Sequence, residues 1–248
     1  MGKKYIYGVI EEPHPRRFSF SGVGEAEVYT INHQKLAALV SDTELEEIDP
    51  TRKNVLAHTT VQDTLLKEYE LLPMGFGMIA NSESEVRGLL EGNYEGLIRE
   101  LERLSGKIEV ELKVFWEREA MIKRLQGESE ELTRLKAKIN AASSPIVRQN
   151  LLVEAGRQVE HIAQNWKTKY AQRAYNILKQ FCVDARLNKP MGVENILNAS
   201  FLIDKSKESE FQKEIYKLDS EYQGKVNFKY VGPLPPYNFV NLKLEPLK

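Results

Sequence analysis

Leu72-Pro73-Met74-Gly75-Phe76-Gly77-Met78-Ile79 is an apolar run carrying one proline and two glycines. Its composition predicts a strand. Glycine weakens a strand interior, so Gly75 and Gly77 imply a bulge or a close approach of backbone. Tight packing of a neighbouring helix on the sheet would account for them, and so would a docking surface for a partner. Upstream, Val55, Val61, Leu65, Leu66 and Tyr69 form a helical stripe. Asp49 is the expected N-cap of that helix, with Pro50 at its first position. Downstream, Asn81 or Ser82 caps another helix, whose first turn carries glutamates that suit the helix dipole. A further helix is predicted from Tyr94 to Leu104.

Further out, Tyr5-Ile6-Tyr7-Gly8-Val9-Ile10 reads as a strand. Ala26 to Ile31 alternates as a half-buried strand does, and residues 32–35 turn the chain into a return strand from Leu36 to Val40. Ser105-Gly106 is a break. Beyond it, Ile108, Val110, Leu112, Val114 and Trp116 alternate with a mostly polar set, the clearest strand pattern in the chain. The pattern restart predicts two domains, residues 1–104 and 107–248.

In the second half the period turns helical from Arg118, Gly127 interrupts it, and a charged helix follows from Glu128 to Asn140. A long helix comes next. Its stripe is Leu151, Ala155, Val159, Ile162, Trp166, Tyr170, Ala174, Ile177 and Phe181, with every step three or four residues. Trp166 is therefore expected in the core of its own domain or in a partner interface. A strand from Ile196 to Ile203, a helix from Asp204 to Leu218 and a strand from Lys225 to Val231 complete the pattern. The expected class is α+β: an N-terminal mixed α+β domain, then a modified ferredoxin-like domain with an expanded helical insertion. Asn238 to Leu242 reads as a terminal strand.

The chemistry-bearing residues do not converge. His14, His33, His58 and His161 are far apart and lack metal-ligand spacing. They read as surface or singly bonded histidines. Gly22-Val23-Gly24 lacks the third glycine and the strand–helix context of a dinucleotide loop, and no phosphate-binding loop motif is present. Glu44, Glu46, Glu47 and Asp49 are interrupted by Leu45 and Ile48, unlike the alternating oxygen ligands of a calcium loop. They read as a solvated loop. Pro233-Leu234-Pro235-Pro236 reads as a rigid connector in preference to a polyproline ligand. No catalytic residue, metal or cofactor is expected.

With 35 basic and 36 acidic side chains the net charge is −1, which gives no electrostatic reason to expect nucleic acid. Cys182 is the only cysteine, so no intrachain disulfide forms, and a buried core position in a reducing cytoplasm is expected. No secretory signal pattern opens the sequence, and the longest apolar run is shorter than the roughly 20 residues of a membrane span. A soluble cytoplasmic protein without a lipid-membrane partner is the expectation.

Three segments together resemble the F/L family of gas vesicle proteins. Tyr5 to Ile10 resembles its first strand, and Leu72 to Gly77 its Leu-Pro-x-x-Phe-Gly segment. Val231-Gly232-Pro233-Leu234-Pro235-Pro236-Tyr237-Asn238-Phe239-Val240 resembles its Gly-Pro-x-Pro-Pro-Tyr-x-Phe-Val close. Length and motif order fit nearly end to end. Gly75 stands where many members carry arginine, so no role of that arginine carries over. The resemblance implies a non-enzymatic accessory or minor structural protein of gas vesicle assembly. It implies binding to the small, hydrophobic major shell protein and to other accessory proteins. A chaperone-like factor absent from the mature vesicle is the alternative, and an unrelated protein-interaction module a further one. Phe76, Tyr237 and Phe239 are the candidate partner-binding residues.

Overall fold

The structure is a computed structural model and describes residues 2–117, 130–192, 194–222 and 226–244. The helical period expected from Arg118, and its interruption at Gly127, lie outside the described residues. Among those residues the protein is α+β, with two sheets and six α-helices. The chain divides into two compact units, residues 1–109 with 232–248, and residues 110–231. This division differs from the expected 1–104 and 107–248. The pattern restart at Ser105-Gly106 marks the start of a strand, and the end of the chain belongs with the first unit.

In the first unit, β1 (Lys3–Glu11) is the central strand. The sheet order is β2 (Arg17–Ser21), β3 (Glu27–His33), β4 (Leu36–Thr43), β1, β5 (Leu71–Pro73), and β6 (Ile79–Ala80) also pairs with β1. These neighbouring strands pair antiparallel. Tyr5, Tyr7, Ile10, Val28 and Leu39 enter one core with Val61 and Leu65 of α1 (Arg52–Leu65). A bulge in β1 between Ile6 and Gly8 shifts the register, which lets Tyr5, Tyr7 and Ile10 share this core. α2 (Glu83–Gly92) packs on β3 and β4, and α3 (Tyr94–Leu104) on β1 and β5.

The cap of α1 is Thr51, not Asp49. The Thr51 hydroxyl accepts from the Asn54 N–H at 3.3 Å, while Asp49 contributes only its carbonyl. Ser82 caps α2 as expected, accepting from the Glu85 N–H at 3.2 Å. Within the apolar run only Leu71–Pro73 and Ile79–Ala80 are strand. Both pieces pair with β1, and residues 74–78 loop out between them. Gly77 sits at φ +88°, a conformation that a side chain would strain, and this breaks the strand.

In the second unit the element order is β7 (Lys107–Trp116, which begins in the first unit), α4 (Glu130–Ala141), α5 (Pro145–Leu178), β8 (Asp184–Leu187), β9 (Asn195–Asp204), α6 (Glu208–Tyr222) and β10 (Val226–Leu234). The spatial order of the strands is β10-β7-β9-β8. This is the β-α-β-β-α-β arrangement of ferredoxin-like folds, with a helical pair in the first crossover. β8 escapes a reading by periodicity because only four residues carry it and most are exposed. Asn238 to Leu242 is not a strand; a turn occupies residues 237–239.

Of the α5 stripe only Ala174 is fully buried; the other buried residue of the helix, Leu178, lies next to the stripe residue Ile177, which is half-buried. Further toward the N-terminus the stripe is half-buried, because α4 covers one side and the rest faces solvent. Trp166 is half-buried, its ring 6.3 Å from that of the buried Trp116. Cys182 is likewise half-buried; burial pushes its thiol up to about 11. The two tryptophans should therefore differ in mutational cost. Trp116→Ala should lower the unfolding free energy by about 3–5 kcal/mol, and Trp166→Ala by about 1–2 kcal/mol, as measured by urea titration.

Candidate functional site

The 74–78 loop is held against β1 from both ends. The Met74 N–H donates to the Tyr7 carbonyl at 2.9 Å, and the Ile6 N–H to the Met78 carbonyl at 2.9 Å. At the tip, the Gly77 N–H donates to Tyr5 Oη at 3.1 Å. Tyr5 Oη lies 2.9 Å from His58 Nδ1, and His58 Nε2 lies 3.2 Å from the Met74 carbonyl oxygen. A carbonyl only accepts, so His58 carries its proton on Nε2, and Nδ1 accepts from the Tyr5 hydroxyl. Gln62, one turn along α1, donates through Nε2 to the carbonyls of Tyr7 at 2.6 Å and Met74 at 3.0 Å.

Aromatic rings surround this network. Tyr5 stands edge-on to Tyr7 at 5.0 Å, to His58 at 5.6 Å and to Phe76 at 6.0 Å. His58 stacks on Tyr7 at 5.6 Å and meets Phe76 at 5.7 Å. Gly22 makes room for the group. A Cβ there would fall 2.0 Å from Tyr7 Oη, which also accepts from the Val23 N–H and bonds Ser41. The Gly22-Val23-Gly24 motif thus serves the packing of Tyr7. Burial pushes the Tyr5 phenol up to about 12, which keeps it a donor, and burial lowers the pKa of His58. His58 is therefore neither a surface residue nor singly bonded.

The C-terminal segment is fixed by carboxylates. Buried Glu109 accepts from the Asn238 N–H at 2.8 Å and from Asn238 Nδ2. Glu100 accepts from Arg103 Nε at 2.9 Å, from Arg103 Nη2 at 2.7 Å and from the Asn241 N–H at 2.6 Å, while Arg103 also donates to the Phe239 carbonyl. The Pro236 carbonyl accepts from the N–H groups of Phe239 and Val240, closing a turn. Pro235 and Pro236 are buried, which suits a connector and leaves no face for a polyproline groove.

Of the three candidate binding residues, Phe239 is fully buried and presents no surface. The Arg103 and Pro236 bonds hold its backbone, so it serves as an anchor of the tail. Phe76 is half-buried, and Tyr237 is 38% exposed. Phe76 packs on Tyr5, and the Tyr237 phenol is raised by burial and further by Asp63 and Tyr5. His58, Gln62, Glu100 and Glu109 hold the loop and the tail in place, a role that pattern reading missed. The spacing of His58 and Gln62, four apart on α1, was the available signal. Among the described residues no group of three His, Cys, Asp or Glu side chains is disposed to hold a metal ion.

The family described as gas vesicle synthesis protein GvpL/GvpF matches residues 3–241. The chain therefore belongs to the GvpL/GvpF family, and its role lies in gas vesicle formation. It is 26% identical over 242 residues to gas vesicle protein F of Nostoc sp. (strain PCC 7120), covering 96% of this chain and 98% of that one. It is 29% identical over 239 residues to gas vesicle protein F of Streptomyces sp. (strain CB03234), covering 95% and 98%. The crystal structure of GvpF from Anabaena sp. PCC7120 shares the fold, with TM-score 0.82, 23% identity, and 98% and 100% of the two chains covered. GvpF from Microcystis aeruginosa does so at TM-score 0.76 and 21% identity, again over 98% and 100%.

The His58 geometry sets a pH dependence. In the unfolded chain the imidazole titrates near 6.5, and in the native protein below that. Between the two values the unfolded state holds the extra proton, so stability falls as pH drops from about 6.5 through the native pKa. A second imidazole proton would also face the Gly77 N–H across Tyr5 Oη. The melting temperature should fall over this window, and in His58→Gln the fall should be shallower. In the C-terminal segment, Glu109→Ala should remove the carboxylate that the Asn238 amides donate to. The expected loss is about 1–3 kcal/mol in chemical denaturation, with faster carboxypeptidase trimming of the tail.

Proposed function

We propose that this protein is a non-enzymatic accessory or minor structural component of gas vesicle assembly. In this reading it binds the major shell protein, and other accessory proteins, through the surface that carries Phe76 and Tyr237. The observations that carry it are a half-buried Phe76 packed on Tyr5 and a partly exposed Tyr237, the first on a loop and the second on a tail that hydrogen bonds fix in place. Aromatic side chains on preorganised backbone are efficient binding anchors, because little conformational freedom is lost when they dock. The small hydrophobic shell protein needs apolar surface covered until it is incorporated, and such a surface offers a complement. The near-balanced charge favours a protein partner over nucleic acid. Among the described residues no helix is long and apolar enough to cross a membrane. The place of action is the cytoplasm, on forming vesicles.

Immobilised protein should capture the purified shell protein, and Tyr237→Ala should weaken capture by at least about 2 kcal/mol, roughly thirtyfold in Kd. Its far-UV circular dichroism should stay that of the wild type. Undiminished capture by a Phe76→Ala/Tyr237→Ala double variant would place the contact elsewhere. Urea-washed vesicles that retain the chain indicate a shell component; vesicles that lose it indicate a soluble assembly factor.

A further inference from the structure

Two exposed surfaces lie outside the site above and complement each other. The first is the tip of the α4–α5 hairpin. Residues 132–153 contain Arg134, Lys136, Lys138 and Arg148 and no acidic residue. Ile146, on the first turn of α5, is 74% exposed, and Val147, Leu152 and Val153 are exposed near it. Ile146 and Val153 are seven residues apart and so share one side of the helix, with Val147 and Leu152 flanking it. An isoleucine standing almost free at the end of a hairpin is a knob without a hole.

The second surface is a hole. A cavity of about 330 Å³ opens in the first unit, with Val23, Leu45 and Ile48 among its apolar lining and Asp42 and Glu44 among its polar lining. Residues 42–49 contain five acidic side chains and no basic one. Lys4 and Lys3 engage Asp42 and Glu46, and the remaining carboxylates face solvent. Leu45 is 57% exposed at the edge of the cavity. Among the described residues neither the knob nor the hole is covered.

We propose that the protein self-associates head to tail, the α4–α5 tip of one copy entering the acidic-rimmed cavity of the next. Ile146 fills the apolar floor, and Arg148 with the α4 lysines meets the carboxylates of residues 42–49. Opposite charge on the two rims aligns the approach, and apolar contact at the centre supplies the attraction that outlasts screening. The two surfaces differ, so the contact is heterologous. Each copy keeps one free tip and one free cavity, and the series runs on as a chain or closes as a ring. That gives a factor for building a repetitive protein shell a way to line up along it, independently of the Phe76–Tyr237 surface.

Sedimentation velocity on the full-length chain tests this. At about 0.02 M salt the wild type should grow past the dimer as concentration rises, and at about 0.5 M salt the association should weaken roughly tenfold. A tip variant, Ile146→Asp/Arg148→Glu, and a cavity variant, Leu45→Lys/Glu47→Lys, should each be monomeric with unchanged circular dichroism. Mixed together they should form a heterodimer that stops there, since one intact tip and one intact cavity remain. A wild type that stays monomeric to about 1 mM overturns the proposal. So does association that survives the tip variant, or a mixture that yields no heterodimer.

Discussion

The Met74 carbonyl is the point on which the first unit turns. It accepts from both His58 and Gln62, so one oxygen ties α1 to the loop that separates β5 from β6. The loop in turn binds Tyr5 through the Gly77 N–H, and Tyr5 belongs to the central strand. Helix, loop and strand are thereby closed into one hydrogen-bonded ring in a buried setting, where an unpaired polar group is costly. The proton inventory of that ring has one solution, with His58 neutral and protonated on Nε2. A shape that tolerates one proton arrangement is rigid, and a rigid loop can present Phe76 at low entropic cost on docking.

The tail obeys the same logic with charge in place of an imidazole. Glu109 is buried and is satisfied by the Asn238 backbone and side-chain amides. Glu100 and Arg103 form a two-point pair that also grips the backbone of Phe239 and Asn241. Buried carboxylates need such partners, and a tail that supplies N–H groups meets the need. This explains why the end of the chain returns to the first unit instead of closing the second. It also explains why Phe239, aromatic and near an exposed tyrosine, belongs to the interior.

The second unit solves a different problem. Its four strands follow a common plan, yet a 34-residue helix has been placed in one crossover and only its C-terminal part is buried against the sheet. Close packing there is carried by aromatic pairs such as Tyr175 with Phe201 and Tyr170 with Trp116. The outlying turns hold a half-buried stripe on one side and exposed aliphatic groups on others. An extended arm of this kind adds surface without adding core. That is of use to a protein whose work is to touch other proteins.

Local pattern determined much of this. Alternation at Ile108 to Trp116 defines β7, and a cap at Asn81 or Ser82 marks the start of α2, because each signal depends on neighbours in sequence; the 72–79 run reads as one strand, and only the fold shows residues 74–78 looping out of it. The α+β class follows from the order of those elements. The order of three family segments along the chain likewise required no coordinates. Tertiary structure alone decided the rest. His58 and Gln62 read as polar residues on a helix until β1 and the loop are set against them, 55 residues away from Gln62 in the case of Tyr7. Glu109 reads as the polar side of a strand until Asn238 arrives from 129 residues away. Phe239 and Tyr237 are two residues apart and similar in character, and one is enclosed while the other is partly exposed. Burial is a property of what the fold brings near, and residues distant in sequence brought these partners together.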